Sequence, residues 1–196
     1  MDTKIIYFVH GTTYDNTSGK CSGWKQVELN DLGKEQAKNL GKLTKDLKFD
    51  IIFTSDLVRA IDSTNLAWPE CKKIQDNRLR ECNYGDFDGE SKDLVIYEEH
   101  IEDSFPNGES LKDVEKRVEN FIKDIKEKYP GKTIAIVAHR APQLALEVLT
   151  KNISWEEALQ KDWRKTKSWQ PGWEYIINWL IIVRLGEDKW NIIIIN

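Results

Sequence analysis

The chain has 196 residues, 40% hydrophobic and 32% charged, enough for one globular domain with a sizeable core. A formal net charge of -4 leaves no excess of basic residues to track a nucleic acid or an anionic membrane, so a small anionic ligand would need a local positive pocket. The three cysteines, Cys21, Cys71 and Cys82, are odd in number and lack metal-ligand spacing, which argues against a disulfide framework or a zinc site and for a reduced cytoplasmic compartment.

The apolar run at residues 5–9 is too short for a secretory signal and reads as a buried strand, as do residues 50–53 and 133–138. Between the first two, a helical repeat starts at Asp31 and carries Leu32, Gln36, Leu40, Leu43 and Leu47; a second helix is expected over residues 55–67. Residues 83–108 are irregular and end in Phe105-Pro106-Asn107-Gly108, a segment able to fold over a site. Over residues 109–129, Leu111, Val114, Val118, Phe121, Ile122 and Ile125 recur at helical spacing until Pro130-Gly131 stops them. Helices are also expected over residues 141–149 and 155–163, the latter capped by Ser154, and residues 175–185 and 190–195 predict a hairpin. The apolar stretch at 176–183 is too short to span a bilayer. Strands alternating with helices, without repeats or linkers, predict an α/β protein with a single domain over residues 1–196. Of eight tryptophans, Trp155, Trp163, Trp169, Trp173, Trp179 and Trp190 fall in the last quarter, where packing is the simplest account of them. The segment at 169–175 either lines the mouth of a site or packs the terminal strands.

Ligands of open parallel sheets collect beyond the carboxyl ends of the strands, and three chemistry-bearing residues fall there: His10, Ser55 and His139. A neutral imidazole at a buried strand end can act as a nucleophile, and two that converge can work on one phosphoryl group. Arg59, early in the helix after Ser55, can clamp phosphate oxygens with two hydrogen bonds, and Glu81 can protonate a leaving oxygen.

These residues resemble the histidine phosphatase superfamily, with its phosphoglycerate mutase-like fold, from about Lys4 to His139. His10, Gly11, Thr13 and Asn16 match the first motif, and Gly23 and Trp24 a following Gly-Trp pair. Leu29 to Ala37 resembles the next motif with Asn30 in place of Thr, and Ser55 to Ala60 matches Ser-x-Leu-x-Arg-Ala. The stretch from Leu79 to Gly89, Pro106 to Ser110, and Val137 to His139 complete the order. The resemblance implies a three-layer α/β/α sandwich with a mostly parallel central sheet. It implies a phosphoryl-transfer cycle in which His10 is the nucleophile, Arg59 and His139 hold the equatorial oxygens and Glu81 is acid and then base. Gly11, Thr13, Asn16 and Gly23 would line the phosphate site, with no metal or other cofactor and a small phosphorylated substrate as the partner.

Two positions depart from the pattern: Val9 stands where the family has Arg before the nucleophile, and Arg140 where it has Gly after the second histidine. Arg140 is the expected replacement guanidinium from the opposite wall of the pocket. Phosphomonoester hydrolysis is the leading reading, because the short segment between Asn83 and Gly108 leaves little room for the substrate loops of a mutase. A phosphoglycerate mutase-type transferase and a weakly active phospholigand-binding module are the alternatives, the second because of Val9. A homodimer paired through the apolar edge at 192–195 is one arrangement among several.

Overall fold

Short β-branched runs closed by polar turns form the strands, and the amphipathic stretches between them cover the resulting sheet. The computed structural model describes residues 1–178, 181–184 and 190–193. Strand β1 (Thr3–Val9) leads through a one-turn helix α1 (Tyr14–Thr17) to α2 (Asp31–Leu43), and β2 (Ile51–Thr54) leads to α3 (Val58–Ala67) and β3 (Lys73–Gln75). Single 3-10 turns at Asn77–Leu79, Gly85–Phe87, Lys92–Leu94 and Tyr97–Glu99 carry the chain to α4 (Leu111–Lys128). There follow β4 (Thr133–Ala138), α5 (Arg140–Lys151), α6 (Trp155–Lys161), the one-turn α7 (Trp163–Thr166) and β5 (Trp173–Ile177).

The sheet order is β3-β2-β4-β1-β5, parallel except for β5, which runs antiparallel to β1 at the edge. The terminal stretch expected as one strand over 175–185 is instead β5, which belongs to this sheet, and β6 (Ile181–Arg184), which pairs antiparallel with β7 (Trp190–Ile193). The turn at 186–189, the edge residues Ile194 and Ile195 and the side chains of Trp179 and Trp190 lie outside the described residues.

Helices cover both faces of the sheet. On one, Ile5, Tyr7, Phe53, Ile134 and Ile136 pack against α4, α5 and α6; on the other, Ile6, Phe8, Ile52, Ala135 and Val137 pack with Ala67, Trp68, Leu40 and Phe49. Helix α4 buries all six apolar residues of its repeat, on the order of 10 kcal/mol of burial before the entropy of ordering is subtracted. It starts two residues later than its periodicity suggests because Ser110 and Asp113 form a capping box, which leaves Glu109 free for another task.

Helix α2 corrects its expected face. Leu32, Leu43 and Leu47 are exposed, and the buried residues of the helix are Gly33 and Ala37. The reason is close approach: a Cβ on Gly33 would lie 2.0 Å from the Thr12 carbonyl oxygen, and one on Gly11 would lie 2.4 Å from that of Gly33. Only small residues let α2 press on the loop after β1, and Gln36 then accepts hydrogen bonds from the Thr12 N–H and hydroxyl, both at 2.9 Å. The chain leaves β1 toward the α2–α3 face and β4 toward the α5 face. The crevice between these adjacent strands is therefore a topological switch point, where ligands of open sheets bind.

Candidate active site

The switch point brings His10 and His139 together. The β1–β4 ladder extends to the site, with the His10 N–H donating to the Ala138 carbonyl at 3.2 Å, and the two imidazole centroids are 5.0 Å apart with planes tilted by 56°. With its proton on Nδ1, His10 donates to the Gly11 carbonyl at 2.7 Å, which directs the lone pair of Nε2 away from its own backbone. Gly11 is held in turn: its N–H donates to Ser63 Oγ at 2.9 Å, and that hydroxyl donates to the Arg59 carbonyl at 2.7 Å.

His139 is fully buried and neither of its ring nitrogens has a hydrogen-bond partner. An unpaired buried polar group costs about 1–3 kcal/mol, so an orphan pair of nitrogens at a strand end marks a place prepared for a ligand's polar atoms. Its backbone is fixed by a residue the sequence did not single out. Tyr7 Oη donates to the His139 carbonyl at 2.8 Å and accepts from the His139 N–H at 3.0 Å, and burial pushes the phenol pKa well up, so the hydroxyl keeps its proton.

Both imidazoles are held neutral. Burial, followed by the charge of Arg59, lowers His10 to about 3; the same two causes in the same order, then His10 itself, push His139 well below the ordinary histidine value. A neutral His10 has its lone pair available at any pH near neutrality. Arg59 is 2% exposed, and two of its N–H groups donate to the carbonyls of Lys25 at 2.9 Å and Gly23 at 2.7 Å, which aims the guanidinium beside the histidine pair.

Glu81 closes the far side. Its Oε2 accepts from the Arg140 N–H at 3.1 Å, and its Oε1 accepts from the N–H groups of Ala141 at 2.9 Å and Cys82 at 3.0 Å and from the Tyr97 hydroxyl at 3.3 Å. The carboxyl group thus sits on the N-terminus of α5, next to His139. Arg117 holds the loop that carries it, donating to the carbonyls of Arg78, Arg80 and Glu81 and pairing both Nε and Nη2 with Glu109. Its partner Glu109 also accepts from the Asn83 N–H at 2.9 Å, which explains the Pro106 to Ser110 motif as a brace for the Glu81 loop.

The remaining expected residues sit around this cluster in different ways. Thr13 and Asn16 are engaged with each other in the capping box of α1, where each side-chain oxygen accepts the other's N–H, so they shape the turn after His10. Gly23 contributes its carbonyl to Arg59, and a Cβ there would lie 1.9 Å from Asp88 Oδ1. Ser55 is buried at the end of β2, with its hydroxyl oxygen accepting from the Leu57 N–H at 3.3 Å.

Arg140 requires a correction. Its guanidinium donates to Asp162 at 2.7 Å and lies 4.2 Å from the Tyr97 ring centre, so it is tied away from the histidine pair; only its backbone N–H reaches the site, through Glu81. The first helical residue after His139 projects toward α6 and α7, and adjacency in sequence is not adjacency in the pocket. Among the described residues, no group of three or more His, Cys, Asp or Glu converges to hold a metal ion. Also among them, no helix is long and apolar enough to cross a membrane.

The family model described as histidine phosphatase superfamily (branch 1) matches residues 6–170, which include every residue of this cluster. The chain belongs to the histidine phosphatase superfamily. Among relatives of this superfamily member, an uncharacterized phosphatase, PhoE, of Bacillus subtilis is 28% identical over 97% of this chain and 92% of its own. A 2,3-bisphosphoglycerate-dependent phosphoglycerate mutase of Allorhizobium ampelinum is 32% identical over 77% and 82%. Among solved structures, the alpha-ribazole phosphatase of Shigella flexneri superposes with a TM-score of 0.71 at 27% identity, covering 80% of this chain and 84% of that one. A phosphoglycerate mutase of Bacillus anthracis gives 0.68 at 27%, covering 77% and 81%. The mostly parallel sheet with helices on both faces is thus shared with phosphatases and mutases alike.

Proposed function

We propose that this histidine phosphatase superfamily member hydrolyses a small phosphate monoester through a phosphohistidine on His10. The observation that carries the reading is the pair itself: two neutral imidazoles at adjacent strand ends beside a buried guanidinium, one with an available Nε2 lone pair and the other with both nitrogens unpartnered.

In the first step the His10 Nε2 lone pair attacks phosphorus in line, the N–P bond forms, and the bond from phosphorus to the ester oxygen breaks. The departing alkoxide takes a proton from the Glu81 carboxyl group. Arg59 and His139 donate to the equatorial oxygens as charge redistributes over them, which is where most of the catalytic effect of phosphoryl transfer arises. In the second step water attacks phosphorus, Glu81 takes the water proton, and the N–P bond returns its electron pair to Nε2, releasing inorganic phosphate. Side chains supply the charge stabilisation in this scheme. The folded, self-packed segment at 83–108 supports hydrolysis over transfer, since Gly85 and Gly108 bring its two ends into backbone contact and compact it.

The identity to 2,3-bisphosphoglycerate-dependent mutases favours one second reading, in which the phosphohistidine returns its phosphoryl group to another hydroxyl. Turnover of p-nitrophenyl phosphate and a panel of phosphate esters by the parent and by His10→Ala tests both. Phosphate release that disappears in His10→Ala supports hydrolysis. Transfer to phosphoglycerate with little net release supports the mutase, and release that survives His10→Ala refutes the nucleophile.

A further inference from the structure

A second guanidinium, that of Arg164, comes from the one-turn helix α7 in the last quarter of the described chain. Val9 is half-buried on the α4–α5 face of the sheet, the face shared by Ile5 and Tyr7, and offers no charge to the pocket it borders. On the neighbouring strand Trp173 pairs with Tyr7 and projects from that same face. Its indole stacks on Trp163, with centroids 5.3 Å apart and planes 27° from parallel, and Trp163 Nε1 donates to Gln143 Oε1 at 3.2 Å on the first turn of α5. The next residue, Arg164, lays its guanidinium over the Trp163 ring at 4.2 Å. Paired strand, stacked indoles and α5 therefore carry Arg164 to the β1–β4 end of the sheet on the side where Val9 leaves no charge.

Asp162 sets the balance between two candidate guanidiniums. Its side chain is 1% exposed; it grips Arg140 Nε at 2.7 Å but reaches Arg164 Nη1 only at 3.5 Å. Arg140 is thus committed, whereas Arg164 keeps most of its donors and 30% of its side-chain surface. The field agrees with the geometry: Arg59 and Arg164 are the guanidiniums whose charge depresses the basicity of both His10 and His139, and Arg117, which bears on His139, is bound to Glu109 and three carbonyls.

We propose that Arg164 is a phosphate-binding residue of this site, donating to an oxygen of the transferring phosphoryl group opposite Arg59 and supplying the charge that position 9 lacks. The assignment rests on the phosphoryl-transfer reading of the histidine pair. A planar fork on a partly exposed side chain suits a phosphate dianion, and giving up its long Asp162 contact would leave the shorter Arg140–Asp162 pair intact.

Binding of orthovanadate and of inorganic phosphate, measured calorimetrically, together with kcat and KM for p-nitrophenyl phosphate and the thermal midpoint, tests it on the parent, Arg164→Met, Arg164→Lys and Lys165→Ala. Losing one donor to the transition state is expected to lower kcat about 100-fold and to weaken vanadate, which mimics the trigonal-bipyramidal geometry, by about 30-fold and more than it weakens phosphate. Arg164→Lys falls between parent and Met, Lys165→Ala stays within about twofold of the parent, and the thermal midpoints agree. Parent-like vanadate affinity and kcat in Arg164→Met would overturn the proposal. Arg164-dependent anion binding without His10-dependent hydrolysis keeps the anion site and rejects the phosphatase reading; a parent that binds neither anion rejects both.

Discussion

Replacing Tyr7 by Phe removes one oxygen atom from the core and tests how His139 is positioned. The hydroxyl both donates to the His139 carbonyl at 2.8 Å and accepts from its N–H at 3.0 Å, inside a site where Tyr7 is 1% exposed and His139 fully buried. As the N-cap of α5, His139 offers its carbonyl to the first intrahelical hydrogen bond in any case, so the group left orphaned is the N–H. A buried N–H without a partner costs about 1–3 kcal/mol, and no water-sized space opens when only the hydroxyl is lost. We expect a loss of about 2 kcal/mol, which for a chain of this length lowers the thermal midpoint by about 4–8 °C. Because the orphaned group is in the backbone of a candidate catalytic residue, kcat should also fall, by about tenfold, while KM changes little. Urea unfolding of parent and Tyr7→Phe gives the free energy, and steady-state kinetics on one phosphate ester gives the split. A midpoint within about 1 °C of the parent would refute the reasoning, since it would mean that the Tyr7 clamp contributes nothing to the placement of His139.

Two further outcomes follow from the same site. The folded-state pKa of His10, about 3, lies below the unfolded value near 6.5, so its contribution is fully present above pH 6.5 and is lost as pH falls toward 3. Discounted for the partial exposure of the residue this amounts to about 1–2 kcal/mol, and urea midpoints at pH 7.5 and 5 should diverge less in His10→Asn than in the parent; equal slopes would contradict the assignment. Arg117→Met leaves the largely buried Glu109 carboxylate unpaired and releases three loop carbonyls, so about 3 kcal/mol of stability and at least about tenfold in kcat should go, with Arg117→Met/Glu109→Gln recovering part of the stability but not kcat; full kcat in the single variant would show that the brace does not position Glu81.

The central strands β1, β2 and β4 and the long helix α4 are legible because burial imposes its pattern on them, whereas the short edge strand β3 and the break between β5 and β6 are not. Residues 134–138 are apolar and buried without alternation, as suits a central parallel strand, and α4 keeps its six apolar residues on one stripe. What periodicity could not show is how near two backbones come. In α2 the leucines keep helical spacing, yet Gly33 and Ala37 are the buried residues, since the loop at Gly11 and Thr12 leaves no space for a larger side chain at Gly33. Within the site, His10, Arg59, Glu81 and His139 converge as their motifs imply, whereas Thr13 and Asn16 fold onto each other. Tyr7 was hidden because a tyrosine inside a buried strand looks like any core residue until its hydroxyl has a partner across 132 positions. Arg140 misled for the opposite reason: it stands next to His139 in sequence, but the start of a helix turns its side chain onto Asp162. Arg164 lies in a one-turn helix with no pattern of its own, and its bearing on the site depends on two tryptophans, one of them paired to β1. The one usable signal was that Trp163 and Trp173 flank it in a tryptophan-rich stretch.

The central claim is that His10 carries the phosphoryl group between two half-reactions. Rapid acid-free quenching of the parent during turnover of a labelled phosphate ester, followed by peptide mapping, measures this directly. The account predicts phosphate on the peptide containing His10, stable to alkali and labile to acid, formed and discharged at rates no slower than turnover, and absent from His10→Ala. Turnover at parental rate with no phosphorylated His10, or label on another residue in the His10→Ala protein, would contradict it.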